Sequence, residues 1–217
     1  MNNFSPNMLK TFDECQMKFF FKYIEKISVP QRTKLFEKGK KVHALANYYL
    51  KGSDISKMEK VLNQDESVAW DTLKASEYFK LKVVNTEYNL SCKVGYWWIG
   101  GRLDALMNDG DNYYILDYKT GRIPQNPQWD FQTIVYLLAV EKFLKTKKIP
   151  CKSLKFVYLG LKDNVEKSII LDDNLKIDYE GKVDALCQNI DLAISSTVFS
   201  KNKAACKNCE YDKFCNL

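Results

Sequence analysis

The residue pattern predicts an α/β fold with a mixed central sheet flanked by helices, and three observations carry this. Three strand-like segments follow one another between residues 83 and 118, apolar positions at helical spacing lie on both sides of them, and two more strand-like segments come after the second helical stretch. The 217 residues suffice for one domain with a buried core, so 1–217 is read as a single unit. Within it, 1–82 is a helical N-terminal part, 83–171 a sheet region with one helix, and 172–217 a C-terminal helix with a cysteine-rich tail.

The elements follow in order. Ser5 and Pro6 open a helix over residues 5–26, with Leu9, Phe12, Cys15, Phe19 and Tyr23 at near-helical intervals. A second helix spans 34–51, with Leu35, Val42, Leu45, Ala46 and Tyr49 on one side and His43, the chain's single histidine, among them. A third spans 66–82. Strands are expected at 83–92, 96–107 and 113–118, separated by the turn signals Lys93-Val94-Gly95 and Asn108-Asp109-Gly110-Asp111. Helical spacing returns over 128–146 through Phe131, Val135, Leu138, Ala139 and Phe143, followed by strands at 154–160 and 165–171 and a last helix over 176–195.

Composition narrows the function classes. With 46% hydrophobic and 28% charged residues the chain is too apolar for a disordered protein. Its longest apolar stretches, such as Thr133 to Val140, fall well short of the ~20 residues a membrane span requires, and the first residues lack a signal-peptide pattern. A cytoplasmic protein with no membrane association is expected. Thirty-three Lys and Arg against 27 Asp and Glu leave +6, a modest excess that suits a polyanionic partner. Seven cysteines, an odd number without a secretory signal, favour metal ligation over a disulfide scaffold. No G-x-x-x-x-G-K-[ST] occurs, so the chain carries no helicase motor.

The most informative segment is Ile115-Leu116-Asp117-Tyr118-Lys119-Thr120-Gly121, an apolar strand ending in a carboxylate and a lysine two residues apart. Period-two alternation puts Asp117 and Lys119 on one face. Gly101-Arg102-Leu103-Asp104 places Asp104 in the preceding strand, so two carboxylates and a lysine can converge. Phosphodiester hydrolysis uses that combination: hard oxygen ligands for Mg²⁺ or Mn²⁺ and a cation beside the attacking water or the phosphate. Alone, a D-x-K triplet would pass for a solvated strand end.

Four motifs in register resemble the RecB-like branch of the PD-(D/E)xK nucleases. Gly39-Lys40-Lys41-Val42-His43 is similar to that family's G-x-x-x-H, Gly101 to Asp104 to its G-x-x-D, Asp117 to Gly121 to its D-x-K-T-G, and Gln132 with Tyr136 to its Q-x-x-x-Y. The resemblance implies a restriction-endonuclease-like sheet. It also implies His43, Asp104, Asp117 and the Tyr118 backbone carbonyl as ligands of Mg²⁺ or Mn²⁺, Lys119 as the catalytic lysine, and Gln132 and Tyr136 along a DNA path. Glu87, one strand before Asp104, resembles an acidic position often found there and is a candidate for a direct or a structural role.

The last twelve residues hold Cys206, Cys209 and Cys215 in a C-x2-C-x5-C cluster, and three thiolates this close need a fourth ligand. Cys15, followed by a lysine-aromatic run, makes the set resemble the iron-sulfur nucleases, which include the nuclease domain of the AddB helicase-nuclease subunit and the CRISPR-adaptation nucleases. The resemblance implies a 4Fe-4S cluster joining the N- and C-terminal segments; zinc on four thiolates is the competing chemistry. Cys92, Cys151 and Cys187 are left as ordinary thiols.

Tyr96-Trp97-Trp98 and Trp129 fall near the candidate site, where exposed aromatics could stack bases, although alternate strand aromatics normally face a core. The lysines at 145, 147, 148, 152, 155, 201, 203 and 207 could contact phosphates or form solvated faces. The implied function is a Mg²⁺- or Mn²⁺-dependent deoxyribonuclease, acting exonucleolytically on single-stranded DNA, with a protein partner in a repair, recombination, phage replication or CRISPR-adaptation setting. The rival reading is a non-catalytic DNA-binding subunit of an integrase or helicase complex.

Overall fold

The structure is a computed structural model and describes residues 2–29 and 34–215. The side chains of 34–38, including Leu35 of the expected apolar stripe, and of Asn208 lie outside the described set.

A strand β1 (Asn3–Phe4) precedes helix α1 (Pro6–Glu14), whose N-cap Ser5 accepts from Met8 N–H and whose Pro6 occupies the first turn. The helix expected over 5–26 breaks at Cys15, which is extended at φ −166°, ψ 114°. Helix α2 (Gln16–Phe19) then runs into a π-helical turn (Phe20–Ile24). Helices α3 (Lys34–Leu50), α4 (Ser56–Glu59) and α5 (Gln64–Ala75) follow, α5 opened by a capping box between Asn63 and Glu66. The expected third helix ends early, because Ser76 turns extended and starts a separate 3-10 turn over Glu77–Lys80.

The meander matches its turn signals: β2 (Lys82–Val94), β3 (Trp97–Asp109) and β4 (Asn112–Lys119) are joined at Gly95 and Gly110, both at positive φ. Helix α6 (Phe131–Thr146) leads to β5 (Ser153–Gly160) and β6 (Val165–Ile170), then helix α7 (Asp173–Ser196) and a short α8 (Asp212–Cys215).

These strands form one six-stranded mixed sheet. Strand β2 lines one edge of β3 antiparallel from Lys82↔Asn108 to Val94↔Trp97. The other edge of β3 is shared. There β1 pairs parallel at Trp98 and Ile99, and β4 pairs antiparallel from Ala105 to Asp109. β4 continues to β5 in parallel and β5 to β6 antiparallel. One face packs on α1, α6 and α7 through Phe4, Leu9, Ile134, Phe156, Tyr158 and Tyr179; the other packs on α3 and α5 through Leu45, Trp70, Leu73, Leu116 and Val157. Burying each such side chain contributes about 1.5–3 kcal/mol, so α3 and α6 are held rigidly on opposite faces. No described helix is long and apolar enough to cross a membrane.

The chain's two end segments meet directly. Met17 N–H donates to Ser200 O at 3.0 Å, Asn202 Nδ2 to Glu14 O at 2.8 Å, and the Tyr211 hydroxyl to Ile27 O at 3.1 Å. The Phe21 ring stacks on Tyr211 and Phe20 packs on Phe199. Hydrogen bonds and aromatic packing thus join the two end segments, and the iron-sulfur cluster expected to join them is not among these contacts.

Candidate active site

β3 and β4 pair from Asp109↔Asn112 to Ala105↔Leu116 and then part. The next positions in that register are Asp104 and Asp117, which flank the opening. The Tyr118 N–H donates to Asp104 Oδ2 at 3.0 Å. Further along β3, the Arg102 carbonyl accepts the Tyr136 hydroxyl of α6 at 2.9 Å. That approach needs Gly101, where a Cβ would lie 3.0 Å from the hydroxyl oxygen. On the opposite edge of β3, the pairs Thr86↔Ala105 and Tyr88↔Leu103 bracket Glu87 and Asp104. Glu87, Asp104 and Asp117 therefore occupy one row across three adjacent strands. Glu87 has φ +47°, a left-handed conformation uncommon for a non-glycine residue and concentrated at functional sites.

Helix α3 delivers His43 to this row. One turn earlier, a Cβ on Gly39 would lie 3.0 Å from Thr120 Oγ1, so the glycine lets the helix approach the segment after β4. His43 Nε2 is 2.9 Å from Tyr118 O and Nδ1 is 3.2 Å from Asp104 Oδ1. Both partners only accept, so both ring nitrogens can donate only in the imidazolium. Burial alone would lower the His43 pKa; the hydrogen bond and charge of Asp104, the charge of Asp117 and the Tyr118 carbonyl outweigh it and raise the value.

Ligand atoms of His43, Glu87 and Asp104 lie within 4.8 Å of one another, and among the described residues this is the group of His, Cys, Asp and Glu side chains so arranged. Glu87 is thereby brought into direct company with Asp104 and His43. Asp117 stands beside the group, not in it. Its side chain is 7% exposed, and Oδ2 is 2.7 Å from Lys119 Nζ but lacks hydrogen-bond geometry, leaving that oxygen without a hydrogen-bond partner. Burial and the Asp104 charge push the Asp117 pKa up to about 7 against the pull of Lys119 and His43. A buried carboxylate oxygen without a hydrogen bond, next to an imidazole, two carboxylates and a backbone carbonyl, is a donor set that fits a hard divalent cation.

Lys119 also donates to Gln132 Oε1 at 2.7 Å, and its Nζ lies 5.6 Å from the Tyr158 ring centroid. Asp117 and Lys119 do share a face. Gln132 and Tyr136 do not line the open cleft: Gln132 holds Lys119, and Tyr136 is buried with its hydroxyl on Arg102 O. The cleft measures about 670 Å³ and is walled by His43, Glu87, Arg102, Asp104, Tyr118 and Lys119 among others. Arg102 was not singled out from sequence. It forms a 2.8 Å ion pair with Glu87, and its place two residues before Asp104 on the same strand face was the available signal.

Cys15, Cys206, Cys209 and Cys215 line a separate small cavity with Lys18 and Phe21. Cys15 is buried, the other three are half-buried, and none is in a disulfide. They do not form a close ligand group: no three bring their sulfurs within 4.8 Å of one another. Of the tryptophans, Trp97 is tied to Asp184 through its indole N–H at 3.1 Å and packs edge-on against Phe4, while Trp98 is 46% exposed.

Comparison with known proteins agrees with this geometry. The family model of the PD-(D/E)XK nuclease superfamily matches residues 3–84 and 60–216. Among solved structures, a "putative exonuclease" from Eubacterium rectale superposes with a TM-score of 0.61 at 13% identity, covering 97% of this chain and 88% of that one. A protein designated SSO0001 superposes with a TM-score of 0.50 at 17% identity, covering 99% and 85%. At these identities the likenesses bear on the fold. No curated protein matches. The His43, Glu87 and Asp104 cluster on this fold is a metal-dependent nuclease active site, and the chain belongs to the PD-(D/E)XK nuclease superfamily.

Proposed function

We propose that this chain is a Mg²⁺- or Mn²⁺-dependent deoxyribonuclease that degrades single-stranded DNA from its ends, with Glu87, Asp104, Asp117, His43 and the Tyr118 carbonyl holding the metal and Lys119 as the catalytic lysine. The observation that carries this reading is the row of three carboxylates across β2, β3 and β4, closed by His43 on one face and Lys119 on the other. A bound divalent cation would neutralise charge on the scissile phosphate and help activate water. The protein's own residues do the remainder. Asp117 and Gln132 aim the Lys119 ammonium into the cleft, where it orients the attacking water and offsets developing negative charge. Arg102 adds a second cation at the cleft wall. The intact Asp104, Asp117 and Lys119 weigh against a non-catalytic DNA-binding subunit.

We further propose that Cys15, Cys206, Cys209 and Cys215 hold a 4Fe-4S cluster. Their common cavity supports a shared ligand set, and the resemblance to the iron-sulfur nucleases favours iron-sulfur over zinc on four thiolates. When bound, such a cluster would staple Cys15 to the tail.

The test of the nuclease reading is a digestion series on end-labelled linear and on circular DNA, single- and double-stranded, with Mg²⁺, with Mn²⁺ and with EDTA. Metal-dependent loss of linear single strands while circles persist is expected; no hydrolysis with either metal would refute the reading. Work in repair, recombination, phage replication or CRISPR adaptation would follow from the partners that co-purify.

A further inference from the structure

The carboxylate row is the first rung of a longer ladder. In the β2–β3 register the rungs are Glu87/Asp104, Asn89/Arg102, Ser91/Gly100 and Lys93/Trp98. Positions two apart share a face along an unbroken strand, so Asn89, Ser91, Lys93, Trp98, Gly100 and Arg102 lie on one side of the sheet, and the Arg102–Glu87 ion pair joins this strip to the carboxylates. On this side Asn89, Ser91, Lys93, Trp98 and Arg102 are exposed. From Asp104 to Trp98 the strip runs six residues, roughly 20 Å at strand rise. Asn89, Ser91 and Gly100 line a groove of about 340 Å³ flanked by Asn3 and by Ser5 and Met8 at the start of α1. Glu87, Arg102 and Asp104 line the catalytic cleft, and the Asn89/Arg102 rung links the two.

The floor is kept bare at its centre. Gly100 can carry no side chain, since its Cβ would sit 2.3 Å from Leu90 O. At the far end Trp98 presents its ring to solvent, whereas Trp97 is pinned against α7. No ion-pair partner of Lys93 occurs among the described residues, and Arg102, with a side chain 64% exposed, supplies positive charge at the near end.

We infer that this β2–β3 face is a track for single-stranded DNA leading into the cleft, with a base stacked on Trp98 and phosphates on Lys93 and Arg102; the inference rests on the nuclease reading above. An unpaired base offers the face that Trp98 can stack, and Lys93 and Arg102 place cations at the two ends of a polar strip that leads to the carboxylates. A base in a duplex keeps both faces covered and gains nothing from Trp98.

The test compares wild type with Trp98→Ala and Lys93→Ala on three substrates with Mn²⁺: an oligothymidylate long enough to span the strip, a blunt duplex, and thymidine 5′-(p-nitrophenyl) phosphate, which reaches only the cleft. Trp98→Ala is expected to raise KM for the oligothymidylate about tenfold with kcat unchanged, as loss of one stacking contact implies. The duplex and the small ester should be unaffected. Lys93→Ala should lower the salt dependence of KM by about one unit of slope. An unchanged KM in Trp98→Ala, an equal effect on the duplex, or an equal loss on the ester would overturn the track. Anisotropy titration of the oligothymidylate in EDTA separates the two readings: a wild type that cleaves nothing yet binds about tenfold better than Trp98→Ala refutes only the nuclease reading.

Discussion

The carboxylate of Asp104 accepts the backbone N–H of Tyr118 at 3.0 Å, just past the last β3–β4 pair. Asp104 therefore has two separable duties. Asp104→Asn keeps an acceptor for that N–H and loses the charge; Asp104→Ala loses both and leaves a buried donor without a partner. Both variants should abolish cleavage. Only Asp104→Ala should also lose about 1–3 kcal/mol of stability, read from urea unfolding of the metal-free protein. Equal stability of the two variants would show that the hydrogen bond does not hold the fork.

Asp117 and Lys119 should fail in different ways. Asp117→Ala removes a carboxylate from the row and should weaken Mn²⁺ binding in calorimetric titration. Lys119→Ala removes a positive charge 2.7 Å from Asp117 Oδ2, so it should leave Mn²⁺ binding intact or tighter while abolishing turnover. Near-native turnover by Lys119→Ala would refute the assigned role of the lysine.

The metal-free protein should lose stability as pH rises through the Asp117 titration. Burial and the Asp104 charge raise its pKa from the ordinary 3.8 to about 7. The folded state thus holds this proton more tightly than the unfolded chain does. That contribution is complete below pH 4 and is lost as pH climbs to about 7. At ~1.4 kcal/mol per pH unit the penalty grows to a few kcal/mol. Asp117→Asn, neutral throughout, should match wild type near pH 4 and exceed it in Tm at pH 8 in EDTA. Parallel Tm curves across that range would contradict the buried charge, and saturating Mn²⁺ should erase the gap by stabilising wild type.

Gln132 accepts from Lys119 at 2.7 Å and stands behind it, outside the open cleft. Gln132→Ala is expected to lower kcat about tenfold, within the range set by one charge-assisted hydrogen bond, with KM for DNA nearly unchanged. A rise in KM at constant kcat would return Gln132 to a DNA-contacting role.

Anaerobically purified protein should be brown and contain about four iron atoms per chain, as a 4Fe-4S site requires. Cys15→Ala should release the iron and lower Tm; closing a loop of about 190 residues is worth on the order of 5 kcal/mol by chain-entropy reasoning. Stoichiometric zinc without iron would refute the cluster, and unchanged iron in Cys15→Ala would exclude that residue as a ligand.

Much of the site was legible in sequence because its chemistry rides on strand alternation: Asp117 and Lys119 two apart, Asp104 in the facing strand, His43 on an early helix. What escaped has local causes. The stripe Leu9, Phe12, Cys15, Phe19, Tyr23 runs unbroken through a backbone that turns extended at Cys15, since apolar periodicity does not register a single-residue break. A two-residue parallel strand such as β1 is too short for alternation to reveal. The left-handed Glu87, which sets the third carboxylate into the row, carries no residue-type signal, because glutamate has no preference for positive φ. The contact between Gln132 and Lys119 joins a helix to a strand end thirteen residues earlier, and no residue pattern signals it.

The bonds between the two end segments also bear on how the protein is made. Gln16 and Ser200 bond across 184 positions, Glu14 and Asn202 across 188, and Ile27 and Tyr211 across 184. During synthesis at ~5–20 residues per second, α1 and α2 leave the ribosome on the order of 10–40 seconds before their partners exist. For that interval Phe20 and Phe21, whose final cover includes Phe199, Tyr211 and Phe214, stay open to solvent and to chaperones. The catalytic sheet is complete in sequence by Ile170, so it can assemble while the N-terminal aromatics still wait for the tail.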